Sequence, residues 1–209
     1  QLDIPILVAT DDQTIADVVN DNGGLTLITS KKHESGSDRI FEALERFDPY
    51  QKYQNVIHLQ GDLPNISGNL IKKLATFINE PTREILTVVV KANPDEYNDN
   101  SIVKAAIAFS KNNPDINDIG RAMYFSRACI PFGDTNIWHH VGIYAWKRKT
   151  LKQFVSLKPS PLEKSEKLEQ LRALEAGIVI DAIITSDHPI GVDTELDLKK
   201  ASKFFQDLS

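Results

Sequence analysis

The sequence holds one cysteine, Cys129, in 209 residues. An intrachain disulfide framework is therefore excluded, and a reducing compartment is suited. No apolar run is long enough to cross a bilayer and no secretory signal opens the chain. A cytoplasmic protein without a membrane partner is expected. Excess positive charge is lacking as well. The formal net charge is -5, which gives no bulk attraction for nucleic acid, so no nucleic-acid partner is expected. Internal repeats, linkers and low-complexity tracts are missing, and the length fits a single domain over residues 1–209. His139-His140 has no third ligand nearby, which argues against zinc, and nothing marks a nucleophile elbow.

What is present is an alternation of short apolar runs and amphipathic stretches. Ile6–Val8 and Leu25–Thr29 read as strands, separated by a helix with Ile15, Val18 and Val19 on one face. Ile40, Phe41, Leu44 and Phe47 mark a second helix; Leu70, Ile71, Leu74, Phe77 and Ile78 mark a third. This pattern predicts parallel βαβ units. Ile85–Val90, Ile102–Phe109, Met123–Ser126 and His139–Trp146 then follow as strands without intervening helices, so residues 102–146 predict an antiparallel, mixed-sheet subregion. Further on, Leu162–Ala176 reads as one long helix closed by Gly177, and Ile178–Ile184 as a last strand. Thr194 and Asp197 approximate a capping box for a terminal helix. The fold class expected is α/β, with a mostly parallel central sheet and a smaller mixed or antiparallel region.

One stretch organises the rest: Val56-Ile57-His58-Leu59 followed by Gln60-Gly61-Asp62-Leu63-Pro64. A strand-length apolar run stops abruptly at Gly61, and Pro64 prevents regular pairing from resuming. A carboxamide and a carboxylate are thus fixed at the carboxyl end of a strand, the edge where open α/β sheets bind ligands. Asp62 alone equally suits a turn closed by local hydrogen bonds. Asp193 also follows a strand and a glycine and precedes a helix. If the two strands lay side by side, two carboxylates would converge, an arrangement that is costly unless a cation sits between them. Magnesium-dependent phosphoryl or nucleotidyl transfer requires such a pair.

Ser35-Gly36-Ser37-Asp38-Arg39 sets a small, flexible backbone before a helix, where N–H groups can hold a base edge or an anion. Arg127, His140, Tyr144 and Glu169 are polar or ionisable groups in or beside apolar segments. His140 and Tyr144 are four apart and share a strand face. Each also has an ordinary structural reading: an ion pair, a core histidine, half-buried packing, a solvated glutamate. Glu163, Glu166 and Glu169 recur at three-residue spacing on one side of the predicted long helix. Cys129 sits in an apolar context and is expected to be buried rather than nucleophilic.

Taken in order, several segments resemble the 3-deoxy-D-manno-octulosonate (Kdo) cytidylyltransferases, the CMP-Kdo synthetases. They are Val8-Ala9-Thr10-Asp11-Asp12, His33-Glu34-Ser35-Gly36-Ser37-Asp38-Arg39, Gln60-Gly61-Asp62-Leu63-Pro64, Val103-Lys104 and Tyr124-Phe125-Ser126-Arg127. The series continues with His139-His140-Val141-Gly142-Ile143-Tyr144, Lys167-Leu168-Glu169-Gln170-Leu171 and Gly191-Val192-Asp193-Thr194. The resemblance runs across nearly the whole chain. It implies a Rossmann-like nucleotide-diphospho-sugar transferase fold. It implies transfer of CMP from CTP to Kdo with release of pyrophosphate, for lipopolysaccharide synthesis. Asp62 and Asp193 would ligate Mg2+ as catalytic residues. Ser35, Gly36, Arg39 and Gln60 would hold the nucleotide. Gln60, Arg127, His140, Tyr144 and Glu169 would surround the sugar acid, with Arg127 offsetting its carboxylate. A homodimer is implied, with the 102–146 subregion forming the sugar site and the interface.

Two departures accompany the resemblance. Leu63 stands where many members carry Glu. The family opens with a strand and a cationic loop that grips the triphosphate, and no such segment precedes Gln1. The chain as it stands is therefore expected to be inactive or nearly so, and the complete protein to be active. Two other readings stay open: a CMP transferase for another acidic sugar such as sialic acid, and a nucleotide-binding module without chemistry.

Overall fold

Strand β4 (Ile85–Lys91) is buried on both faces from Ile85 to Val90, as a continuous β-branched run requires. It is central to a six-stranded sheet in the order β3-β7-β4-β8-β6-β5. The other members are β3 (Asn55–His58), β5 (Lys104–Ala108), β6 (Ile119–Ser126), β7 (Trp138–Lys147) and β8 (Ile180–Ile184). The protein is described by a computed structural model covering residues 4–133, 136–188, 190–192 and 194–206.

β4 and β8 pair in parallel, while β7 runs antiparallel between β3 and β4. β3, β4 and β8 therefore share one direction. β1 (Val8–Thr10) and β2 (Thr26–Ile28) form a separate parallel pair. The antiparallel strands of residues 102–146 are not a smaller sheet of their own. β5, β6 and β7 complete the main one, because β7 is long enough to pair with β3, β4 and β5.

The helices begin where short polar side chains satisfy free N–H groups. Asp12 caps α1 (Gln13–Asp21), Ser35 caps α2 (Gly36–Phe47) and Ser67 caps α3 (Gly68–Phe77). The sheet separates two cores. Ile85 and Val89 face Leu44, Phe125, Tyr144, Trp146, Phe154 and Leu171 on the side of α2 and α4 (Arg148–Ser156). Leu86, Val88 and Val90 face Leu70, Leu74, Ile78 and Ile143 on the side of α3. This even–odd division of β4 follows from strand alternation.

The helix expected over 162–176 is two helices, α5 (Pro161–Glu166) and α6 (Gln170–Glu175). Between them Lys167 takes a left-handed conformation, φ 57°, and Leu168 turns into the core. Burial of Leu168 and an ion pair between Glu163 and Arg172 across the elbow override the helical periodicity. Glu163, Glu166 and Glu169 consequently do not share one helix side. At the end of the chain, α7 (Glu195–Gln206) begins as expected: Asp197 N–H donates to Thr194 Oγ1, and Thr194 N–H to Asp197 Oδ2, both 3.2 Å. Cys129 is exposed, against expectation, because it lies beyond the end of β6 where the chain leaves the sheet.

Candidate active site

Beyond β3 the chain turns at Gln60, whose carbonyl accepts from Leu63 N–H at 3.3 Å. The Gln60 carboxamide lies across Gly142 of β7: a Cβ at Gly142 would stand 3.1 Å from Gln60 Nε2. Asp62 is half-buried, and its Oδ1 is sealed from solvent with no hydrogen-bond partner among the described residues. A carboxylate oxygen left in that state is costly. It is the donor type that a hard divalent cation takes.

β3 and β8 are not neighbours, since β7 and β4 lie between them. The loops after them nevertheless meet. Val192 N–H donates to Asp62 O at 3.0 Å, and Ile190 N–H to Asn65 Oδ1 at 2.8 Å. Asn65 Nδ2 donates to His188 O at 2.8 Å, and Ser67 Oγ to Asp187 Oδ2 at 2.6 Å. The segment leading into Asp193 is thus fastened to the Asp62 loop. Asp193 itself lies outside the described residues.

The first turn of α2 rests on the same sheet face. A Cβ at Gly36 would stand 2.9 Å from His58 Cε1. Ser35 Oγ donates to Asp38 Oδ2 at 2.9 Å and accepts from Asp38 N–H at 3.2 Å. Ser37 Oγ reaches across to Glu169 Oε1 at 2.9 Å. Arg39 turns the other way, to Thr29 Oγ1 at 2.7 Å and to Asp11 at 3.2 Å. A groove of about 640 Å³ opens beside Ser35 and Asp38, with Glu169 and Arg172 on its far wall.

On β7, His140 and Tyr144 share a face, with ring centroids 5.5 Å apart, and Tyr144 stacks on His58 at 6.5 Å. Thr87 Oγ1 donates to Ile143 O at 2.8 Å and lies 3.0 Å from His140 Nε2. With that hydroxyl proton committed, Nε2 is assigned the ring proton and Nδ1 becomes an acceptor. Burial holds the His140 pKa down at about 3 and the His58 pKa at about 4, so both rings are neutral at physiological pH. Burial pushes the Tyr144 phenol up, and the charge of Glu169 adds to this. Glu169 is itself raised by burial, against hydrogen bonds from Ser37 and Ser35.

Arg127 stands slightly apart, at the end of β6, two residues beyond Phe125, whose ring edge meets His140 at 4.9 Å. Its guanidinium donates to three backbone carbonyls, those of Glu166, Asn100 and Ser101.

The structure therefore gathers Ser35, Gly36, Gln60, His140, Tyr144 and Glu169 on one face, with Asp62 two residues beyond Gln60. Arg127 is not brought into contact with that group, its guanidinium being held by the Glu166, Asn100 and Ser101 carbonyls, and Arg39 is directed to Thr29 and Asp11. Sequence reasoning passed over His58, Ser37 and Thr87. For His58 a signal existed: strand alternation places it on the face of Gln60, two residues on. Ser37 and Thr87 act through contacts 132 and 53 residues away, which no local pattern records.

A mixed α/β sheet with carboxylate-bearing loops at one edge and a helix start on the same face defines a nucleotidyltransferase-type α/β protein. A cytidylyltransferase family model matches residues 2–183. A 3-deoxy-manno-octulosonate cytidylyltransferase of Nitrobacter hamburgensis is 44% identical over 95% of this chain and 75% of its own length. A solved structure of CMP:2-keto-3-deoxy-manno-octonic acid synthetase complexed with CTP superposes with a TM-score of 0.86 and 30% identity, covering 99% of this chain and 82% of that one. An inositol-1-phosphate CTP transferase from T. maritima, 16% identical with a TM-score of 0.58 over 97% of this chain and 75% of that one, shares the fold. The chain belongs to the cytidylyltransferase family and has its Rossmann-like nucleotidyltransferase fold.

Proposed function

We propose that this protein transfers CMP from CTP to 3-deoxy-D-manno-octulosonate, giving CMP-Kdo and pyrophosphate. The relatives' names and the CTP-bound neighbour support the reaction. The observation that carries the site is the sealed Asp62 Oδ1, unpartnered among the described residues, in a loop fastened to the residues just before Asp193. A carboxylate oxygen of this kind fits magnesium, which Asp62 and Asp193 would hold. When bound, the ion supplies a Lewis acid that draws charge from the α-phosphate.

The remaining roles fall to the chain's own residues. Ser35 and Gly36 open α2, where N–H groups and the helix dipole favour the nucleotide, with Arg39 behind them. Gln60 lies between nucleotide and sugar. Arg127 meets the sugar carboxylate, and the neutral His140 accepts a sugar hydroxyl at Nδ1. Tyr144 and Glu169 complete that wall. The sugar hydroxyl oxygen forms a bond to the α-phosphorus, the bond to pyrophosphate breaks, and the hydroxyl proton passes to solvent.

The reading includes a homodimer in the cytoplasm. Exposed Met123 and Phe132, with an apolar groove of about 350 Å³ lined by Ala106, Phe109, Pro131 and Trp138, suit a second copy. Sedimentation at micromolar concentration should give twice the chain mass. The function is tested by pyrophosphate release with CTP, Kdo and magnesium, on a protein that carries the family's opening strand and cationic loop. Asp62→Asn should lower turnover on the order of a hundredfold, and an undiminished rate in that variant would remove the proposal's basis.

A further inference from the structure

The turn from Asp99 to Ile102 carries four successive carbonyls, and each accepts from a cation. Lys104 Nζ donates to Asp99 O and to Ile102 O, both at 2.7 Å. Arg127 Nη1 donates to Asn100 O at 3.0 Å and to Ser101 O at 3.3 Å. The outer pair of carbonyls belongs to the lysine and the inner pair to the arginine. The Asp99 carboxylate tightens the turn by accepting from Ser101 N–H at 2.8 Å and Ser101 Oγ at 2.6 Å.

Lys104 is fully buried, 0% exposed, and among the described residues it forms no ion pair. Burial pushes its pKa down. A sealed ammonium that Asp99 and Glu96 attract only from a distance is an expensive way to fill space that a methionine would also fill. What the charge provides is a pair of strong, directed hydrogen bonds to the turn. The Arg127 guanidinium likewise has no carboxylate partner among the described residues. Glu166 steadies it from the other side: its carboxylate accepts from Arg127 N–H at 3.1 Å and Ser126 Oγ at 2.8 Å, and its carbonyl accepts from Arg127 Nε at 3.3 Å. With Nε and Nη1 committed, the N–H groups of Nη2 have no protein partner among the described residues.

We propose that Lys104 is a positioning residue for substrate recognition: by clamping the Asp99–Ile102 turn it fixes the two carbonyls that orient Arg127, so that Nη2 presents its N–H groups to the carboxylate of the sugar acid. This rests on the reading of Arg127 as the carboxylate-binding residue. A fixed guanidinium loses less freedom on binding than a mobile one, so the clamp lowers the cost of holding the acid.

Steady-state kinetics with CTP, Kdo and magnesium test it on Lys104→Met, Arg127→Ala and the double variant, each made in a protein that carries the family's opening strand and cationic loop. Lys104→Met should raise KM for Kdo about tenfold and leave KM for CTP within about twofold. It should add nothing in the Arg127→Ala background, because the two act as one unit. An unchanged KM for Kdo in Lys104→Met, beside a raised one in Arg127→Ala, overturns the inference and leaves the Arg127 reading intact. An unchanged KM in Arg127→Ala overturns that reading itself. Equal losses for both substrates, or full additivity in the double variant, make Lys104 merely structural and also overturn the inference. Should Lys104→Met fail to fold, Lys104→Arg carries the test. It keeps the charge but cannot place its donors on the same two carbonyls, so the same split in KM is expected and its absence decides against the clamp.

Discussion

At Gly36 the missing side chain leaves room that the His58 ring occupies. That ring is buried between the first turn of α2 and Tyr144. It is rigid and cannot withdraw as a flexible tail would. Gly36→Ala is therefore expected to displace the ring or the start of α2, costing about 1–3 kcal/mol of stability and raising KM for CTP. Gly142 offers the contrast. Its added Cβ would meet the tip of Gln60, an exposed and flexible side chain. Gly142→Ala should leave the melting temperature nearly unchanged while shifting Gln60, and the effect should appear in substrate kinetics alone. Equal melting-temperature losses in the two variants would contradict this distinction between a boxed ring and a free side chain.

Among the elements, the α5–α6 elbow sets Glu169 against Ser37 and depends on Arg172. Arg172 donates to Glu163 from Nε at 2.8 Å and from Nη2 at 2.5 Å, and its guanidinium lies 4.7 Å from the Phe154 ring centre. Burial tends to raise Glu163, but the Arg172 pair and the Ser160 N–H outweigh it and hold its pKa below the usual value. Arg172→Met leaves that carboxylate without its cation and should cost about 3–5 kcal/mol in a urea titration. Activity should fall with it, since Glu169 loses its footing. This elbow also marks the limit of what the sequence discloses. Apolar periodicity located α2, α3 and the strands from β3 to β7 because each buries an apolar face; in α1 it found the helix but not its buried side, since Ile15 and Val18 are exposed and Ala16 packs inward, and the strand expected over Ile6–Val8 is displaced to Val8–Thr10. It could not reveal that Lys167 turns left-handed, because that turn is imposed by Leu168 and by a pair nine residues apart. Nor could it place β7 between β3 and β4, a choice made by long-range pairings such as Asn55 with Lys147 and Lys91 with Trp138. In the site, Gln60 and Asp62 were legible from an abrupt strand end. His140 and Tyr144 were legible as polar groups within an apolar strand. Thr87 and Lys104 were not, because both read locally as ordinary strand residues.

For the molecule as a whole, the sheet face under α2 carries two neutral histidines, and this shapes the response to acid. Burial lowers the folded pKa of His58 to about 4 and of His140 to about 3, whereas an unfolded chain titrates near about 6.5. Below that value the unfolded state binds protons that the folded state refuses, so stability falls as pH drops. His139, lowered by burial against the opposing charge of Glu96, contributes in the same direction. Glu169 acts oppositely: raised by burial, it takes up a proton first in the folded state and regains some stability on acidification. Glu42, held down at about 2 by the Ser30 N–H and by His33 and Arg46, costs stability only below the ordinary carboxylate range. Between pH 6.5 and 5 the histidines therefore dominate, each worth up to about 1.4 kcal/mol per pH unit. The unfolding midpoint should drop clearly from pH 7 to pH 5. His58→Asn combined with His140→Gln should flatten that slope, even if the variant starts from a lower midpoint. A wild-type midpoint constant over this range, or a slope unaltered by removing both rings, would show that the buried histidines do not govern acid stability.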